Sequence, residues 1–417
     1  MDAVNPLPAK IHPAAVAAGL RQAGADELAR SLHASRQDTL ATFAVYQQAL
    51  PGLAVPHADE FNPPCWELGH LDWFAQHWLT RNPERRRGVQ ADPHAPRAPA
   101  RQRNSDALFD SSAVPHATRW QLPLPGPAVL HPVLAEGLQQ TLALLADSAP
   151  DDTGLYFHRL VLAHEDMHHE AALYMAQALG LPVTDARWQP RPLAGAREAL
   201  AFDGAEVTLG WRGPGFAFDN ELGVHRVRLQ PYGIDSRVVT WGEYLPFVNA
   251  SGYTQPQWWS EAGLAWLALG HRGPRYLSGS GRNNPDRAAW QQQRWGRWQA
   301  LDPAEPACHL SAFEAEAWCA WAGRRLPTEA EWEHAATQAG PGFRWGAVWE
   351  WTASDFAPYP GFDPHPYREY SAPWFGSRRV LRGASFCTQP RLHDVHYRNY
   401  FLPGRNDIFA GFRSCAR

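Results

Sequence analysis

The chain has 417 residues, 45% hydrophobic and 19% charged, which describes a globular protein of two or three domains and excludes a disordered or fibrous one. Its 38 basic residues face 42 acidic ones for a net charge of −4, so nothing in the charge balance points to nucleic acid or an anionic membrane as a partner. Lys10 is the single lysine, so the arginine excess reads as a coding bias and not as phosphate binding.

In chain order, residues 1–190 read as helical. The N-terminal MDAVNPLPAK lacks the charged start and apolar stretch of a secretion signal. Leu28, Leu32, Leu40, Phe43, Tyr46 and Leu50 recur at helical spacing, as do Leu130, Leu134, Leu138, Leu142 and Leu145. Trp66 to Leu79 and Leu155 to Leu179 predict two further helices. The connection from Asn82 to Pro127, rich in Pro, Arg and Ala, is long enough to be either mobile or functional. Four helices with one long connection predict a bundle. The pattern changes at QPRPLAG, Gln189 to Gly195. Residues 196–417 then predict an α+β domain, with short strands at Glu206–Leu209, Val224–Leu229, Val238–Thr240 and Arg379–Arg382. Helices are expected near Trp241–Val248 and Ser311–Trp321, and Thr328 is a helix N-cap with Glu331 as its partner three residues on. No run of about 18 apolar residues is present to span a bilayer. Five scattered cysteines without a CxxC read as reduced thiols of a cytoplasmic protein.

The strongest chemical signal is AHEDMHHEA. His164 and His168 are one turn apart on a predicted helix, so their rings stack on one face and both can reach one metal ion. Glu170 lies about 200° round the helix from His168 and is expected to support a neighbour or the helix surface. HEDMH also matches the zinc-protease string H-E-x-x-H, which would make Glu165 a general base. A third ligand is required, and His70, in NPPCWELGHLDWF, is the best placed; helical geometry points His77, His158 and His169 to other faces. Imidazole suits zinc and iron alike, so ligand type does not choose between them.

NPPCWELGHLDWF and, much later, HEDMHHE resemble the iron-binding half of the EgtB-type non-haem iron sulfoxide synthases. The second half resembles the formylglycine-generating-enzyme-like (C-type-lectin-like) fold through FDNELGVHRVRL, VTWGEYLPFV, WCAWAGRRLPTEAEWEHAA, VWEWTASDF, YPGF, YREYS, VLRGASF, YRNYF and GFR. This resemblance implies a DinB-like four-helix bundle over residues 1–190 that carries the iron ligands, and a formylglycine-generating-enzyme-like domain over 196–417. It implies an Fe(2+) oxidoreductase that takes O2 as co-substrate and joins a donor to C2 of the imidazole ring of hercynine. Carried over by position, His70, His164 and His168 hold the iron, and Asn399 and Tyr400 meet the betaine part of hercynine. Tyr359 in YPGF is the choice for the tyrosine that delivers a proton during oxygen activation, with Tyr367 and Tyr370 close by in the same loop.

Two departures concern the donor. Members of that family that take cysteine or γ-glutamylcysteine have an Arg-rich stretch after the first histidine helix and an acidic residue after the Asn-aromatic pair, which suits a zwitterion. Here the stretch is ALFDSSAVPHATRW, with Arg119 its one basic residue, and Phe401 follows Tyr400; Arg405 remains. The NPPCWELGH and LFDSSAVPHATRW variants resemble the selenoneine-synthase branch, whose donor is a selenosugar. Asp110, Ser111, Ser112 and Arg119 are then expected to hydrogen-bond the sugar, with Phe401 and Arg405 beside it. The alternatives are an ergothioneine-type enzyme that takes a thiol, a zinc-dependent thiol transferase of the DinB type, and a formylglycine-type oxidase, which works through a paired-cysteine copper site, whereas none of the five cysteines here forms a close pair in sequence.

Overall fold

The computed structural model describes residues 19–279 and 290–417; the MDAVNPLPAK segment lies outside them. Four long helices form the N-terminal bundle: α1 (Ala25–Ala49), α2 (Pro64–Ala75), α4 (Pro127–Ala146) and α5 (Asp152–Leu179), with the one-turn α3 (Ser105–Phe109) in the long connection. Local chemistry sets their ends. Asp26 and Glu27 complement the positive N-terminus of α1. Asp151 caps α5 by accepting from Gly154 N at 2.7 Å. Gly180 ends α5 in the left-handed conformation, φ 69°. The apolar stripes meet as expected: Leu28, Leu32, Leu130, Leu134, Leu145 and Leu155 are all buried, each such side chain contributing about 1.5–3 kcal/mol relative to exposure.

The mixed half contains α6 (Trp241–Asn249), α7 (Glu261–Ala268), α8 (Ala312–Trp321) and α9 (Glu329–Gln338). Thr328 and Glu331 close the expected capping box on α9, and Ser311 and Glu314 close another on α8. One sheet has the order β1 (Ala199–Phe202), β4 (Tyr232–Asp235), β13 (Cys415–Ala416), β8 (Arg324–Arg325). A second has the order β11 (Asn399–Phe401), β10 (Arg379–Gly383), β9 (Trp349–Asp355), β12 (Ala410–Gly411). β2 (Ala205–Leu209) and β3 (His225–Leu229) form a hairpin, and β5 (Leu277–Ser278), β6 (Gln291–Arg294) and β7 (Arg297–Ala300) a small sheet. Val238–Thr240, expected as a strand, is not one. Val239 donates to Phe412 and accepts from Ala307, two separate segments, and Thr240 makes only an isolated bridge to Pro306. No helix among the described residues is long and apolar enough to cross a membrane.

Buried polar contacts lock α5 against the second half. Glu170 accepts from Trp349 Nε1 at 2.9 Å, Ser385 Oγ at 2.6 Å and Thr388 Oγ1 at 2.8 Å. One turn earlier, Asp166 pairs with Arg391 at 2.6 Å. Glu170 thus ties the helix to the sheet. These contacts set the histidine face of α5 opposite β9 and β11.

Candidate metal centre and substrate cavity

On α2, Trp66, His70 and Phe74 follow one another at one-turn spacing on a single face. The His70 ring lies nearly parallel to Trp66, centroids 4.7 Å apart at 11°, and to Trp73, 5.7 Å at 18°. On α5, the His164 ring lies flat on Phe74 at 3.5 Å and 2°. Ring centroids are 5.0 Å apart for His70 and His164, 4.9 Å for His70 and His168, and 4.4 Å for His164 and His168. One ring nitrogen from each of the three lies within 4.8 Å of the others.

Hydrogen bonds select which nitrogens are free. His70 Nδ1 donates to the Phe109 carbonyl at 2.8 Å, and His168 Nδ1 donates to Glu67 Oε2 at 2.6 Å, which leaves each Nε2 with a lone pair. His164 Nε2 is buried with no hydrogen-bond partner, an orphan that a cation would satisfy. Burial first, and the neighbouring His168 second, push His70 down to about 3. The same two causes, with His70 added, hold His164 well below the usual imidazole range, so both rings are neutral donors at pH 7. Burial works to raise Glu67, but the charge and hydrogen bond of His168 bring it below the usual carboxylate range. An orphaned buried nitrogen beside two locked tautomers suits a divalent transition metal.

The other histidines point elsewhere, as expected. His158 meets Ser148 at 3.1 Å and His169 meets Thr42 at 2.9 Å, while His77 packs against Trp73 and Trp78. Glu165 is bound to Arg36 at 2.7 and 3.0 Å inside the bundle. The literal H-E-x-x-H match therefore offers no free base.

His164 and His168 open onto a cavity of about 270 Å³ between α5 and the second sheet. Asn399, Tyr400 and Phe401, on edge strand β11, line it with Trp349, Tyr367, Tyr370 and Tyr397. Tyr400 stacks on Phe356 at 4.0 Å and donates to the Tyr370 carbonyl. The Tyr370 and Tyr397 hydroxyls are 3.1 Å apart, and Tyr397 donates to Met167 Sδ at 3.2 Å. Tyr367 lies edge-on to Phe74 and to His164, at 5.0 and 6.3 Å. Among the described residues its hydroxyl has no hydrogen-bond partner. Among the described residues, Glu170 is the one acidic side chain on the wall, and no lysine or arginine lines the cavity.

Five expected site residues lie elsewhere. Tyr359 is not on the cavity wall: its hydroxyl donates to Glu329 at 3.2 Å, Arg398 sits 3.9 Å over its ring, and it packs in the separate core beneath β2 and β3. Ser111 and Ser112 also lie off the cavity; Ser112 is exposed and turned back to Asp110 at 2.6 Å. Arg119 is buried in the bundle, 3.7 Å over Trp66 and bonded to Asn62 Oδ1 at 2.8 Å. Arg405 sits behind the wall, paired with Asp407 at 2.5 Å and lying over Phe401 and Tyr174. Glu67, Phe109 and Tyr397 were not anticipated. Glu67 stands three residues before His70, and that carboxylate inside WELGH was the available signal.

Residues 186–347 and 344–417 match the model of the sulfatase-modifying factor enzyme 1-like domain, which defines the class of the mixed half. The chain is 31% identical over 416 residues to the hercynine oxygenase of Mycolicibacterium thermoresistibile, covering 84% of this chain and 86% of that one. It is 32% identical over 420 residues to the hercynine oxygenase of Mycobacterium tuberculosis, covering 84% and 90%. The formylglycine-generating enzyme of Streptomyces coelicolor is 28% identical over 299 residues, 55% of this chain and 91% of the relative. The chain belongs to the hercynine oxygenase family.

Proposed function

We propose that this protein uses O2 to join C2 of the hercynine imidazole to a selenosugar, with His70, His164 and His168 holding Fe(2+). The reading rests on one observation: three imidazoles from two helices meet at a tyrosine-walled cavity whose one carboxylate among the described residues, Glu170, is already saturated by three donors. Bound ferrous iron would supply the one-electron chemistry that lets O2 react. A quaternary ammonium has no hydrogen-bond donor and is held best by aromatic faces, so Tyr370, Tyr397 and Tyr400 suit the betaine, with the Asn399 amide for its carboxylate. Tyr367 takes the proton-delivering role in place of Tyr359, because it lines the cavity beside His164 and its hydroxyl has no hydrogen-bond partner among the described residues.

The donor follows from charge. An amino-acid thiol brings an ammonium and a carboxylate, and each needs an opposite charge. Phe401 occupies the wall where an acid would meet the ammonium, and Arg405 is neutralised by Asp407. A selenosugar is close to neutral and needs only hydrogen bonds. The supporting architecture is read as a DinB-like bundle over 1–190 and a formylglycine-generating-enzyme-like domain over 196–417, in a cytoplasmic enzyme. Incubation with hercynine in air, offering a selenosugar and γ-glutamylcysteine at equal concentration, tests this by product mass. The selenium adduct is expected to dominate; a sulfoxide adduct alone would assign the chain to the thiol-using branch.

A further inference from the structure

The long connection, residues 82–127, touches the histidine site at more than one point. Trp66 Nε1 donates to Leu108 O at 2.8 Å, and the next carbonyl, Phe109 O, accepts from His70 Nδ1. Ten residues on, Arg119 lays its guanidinium 3.7 Å over Trp66, the ring that itself stacks on His70. Arg119 Nη1 also donates to Asn62 Oδ1 at 2.8 Å, Asn62 Nδ2 donates to Glu67 Oε1 at 2.6 Å, and Glu67 Oε2 accepts from His168 Nδ1 at 2.6 Å. Glu67 is on α2 and His168 on α5, so this chain of hydrogen bonds crosses between the two ligand-bearing helices. Every link is buried or half-buried.

We propose that Arg119 and Glu67 are positioning residues of the three-histidine centre: Arg119 acts on His168 through Asn62 and Glu67 and on His70 through Trp66, so that residues 108–119 clamp the ligands of both helices in register. The geometry accounts for an arginine at this point. A planar guanidinium can stack on an indole and donate in its own plane at once, whereas an ammonium is a point charge with no flat face. It also accounts for a carboxylate at Glu67, since an anion receiving Nδ1–H fixes the His168 tautomer and raises the basicity of Nε2. A purely structural role for Arg119 would need neither the bond to Asn62 nor the link through Glu67 to a ligand.

The inference rests on the metal-binding reading above, and the test separates the two. The full-length protein is stripped of metal and titrated with Co(2+), followed by its visible absorption bands. The parent should bind one ion and His70→Ala none; a parent that binds no ion would overturn the metal-binding reading and the clamp with it. Given parent binding, Glu67→Gln, which is isosteric, should weaken affinity about 10–100-fold and shift the bands, in line with the effect of outer ligand partners. Arg119→Met should weaken it about 10-fold, and Arg119→Lys should restore only part. Melting temperatures of the metal-free variants report folding, and Asn62→Ala, which breaks the middle link, stands in for any variant that does not fold. Unchanged affinity and bands in Glu67→Gln and Arg119→Met, or in Asn62→Ala where it stands in, would overturn the clamp while leaving the three-histidine site intact.

Discussion

Gly69 is the residue through which packing and the site can be perturbed together. A Cβ built there would stand 2.2 Å from Cε1 and Cζ of Phe109, well inside any real carbon–carbon contact. Phe109 is 1% exposed, so its ring has no free space to move into. Gly69→Ala should therefore cost about 1–3 kcal/mol of stability through overpacking, offset in small part by the better helix propensity of alanine. The strain falls on the residue whose carbonyl orients His70 at 2.8 Å, so metal affinity should fall along with the urea midpoint of the bundle. Phe109→Leu should destabilise by itself, yet in the Gly69 background it leaves the carbonyl in place. In the double variant the smaller side chain should relieve much of the Gly69→Ala cost, giving a coupling energy above about 0.5 kcal/mol. Urea unfolding of the four proteins, with Co(2+) titration of each, measures both effects. A Gly69→Ala protein with parental midpoint and parental metal affinity would refute the reasoning.

His164→Ala or His168→Ala should abolish metal binding and turnover, measured by metal content and product mass; a fully active variant would remove the site. Tyr367→Phe should slow turnover at least 10-fold with hercynine binding preserved, whereas Tyr359→Phe should lower the melting temperature and keep turnover, and the reverse pattern would restore Tyr359 to the chemistry. Phe401→Asp should raise the share of product formed from cysteine-like donors in a competition assay, and an unchanged ratio would count against the charge argument. Burial pushes Asp219 up to about 6, above its unfolded value, so folding takes up a proton and the group's favourable contribution is lost as pH rises from about 4 to 6. Asp219→Asn should gain on the parent across that window, by up to about 1.4 kcal/mol per pH unit, and a pH-independent difference in urea midpoint would contradict the assignment.

The histidine pair and the bundle helices were legible because both follow from a 3.6-residue period, and His70 was legible through its place in WELGH. The capping box at Thr328 and Glu331 is a local signal and forms as read. What was not legible depends on tertiary contact. Tyr359 and Tyr367 fall in one irregular stretch, and only the fold sends one to Glu329 and the other to the cavity. Arg119 looked like a hydrogen-bonding neighbour of a sugar because sequence cannot show that its guanidinium is already spent on Trp66 and Asn62. β4 went unseen because YGID is short, and its pairing partners, β1 and β13, are far away in the chain.

The most direct measurement is the metal content of protein purified without oxygen, compared between the parent and His70→Ala and paired with turnover of hercynine in air. The account predicts one iron per parent chain, almost none in the variant, and product only when O2 is present. Zinc in place of iron with oxygen-independent turnover, or undiminished iron in His70→Ala, would contradict it.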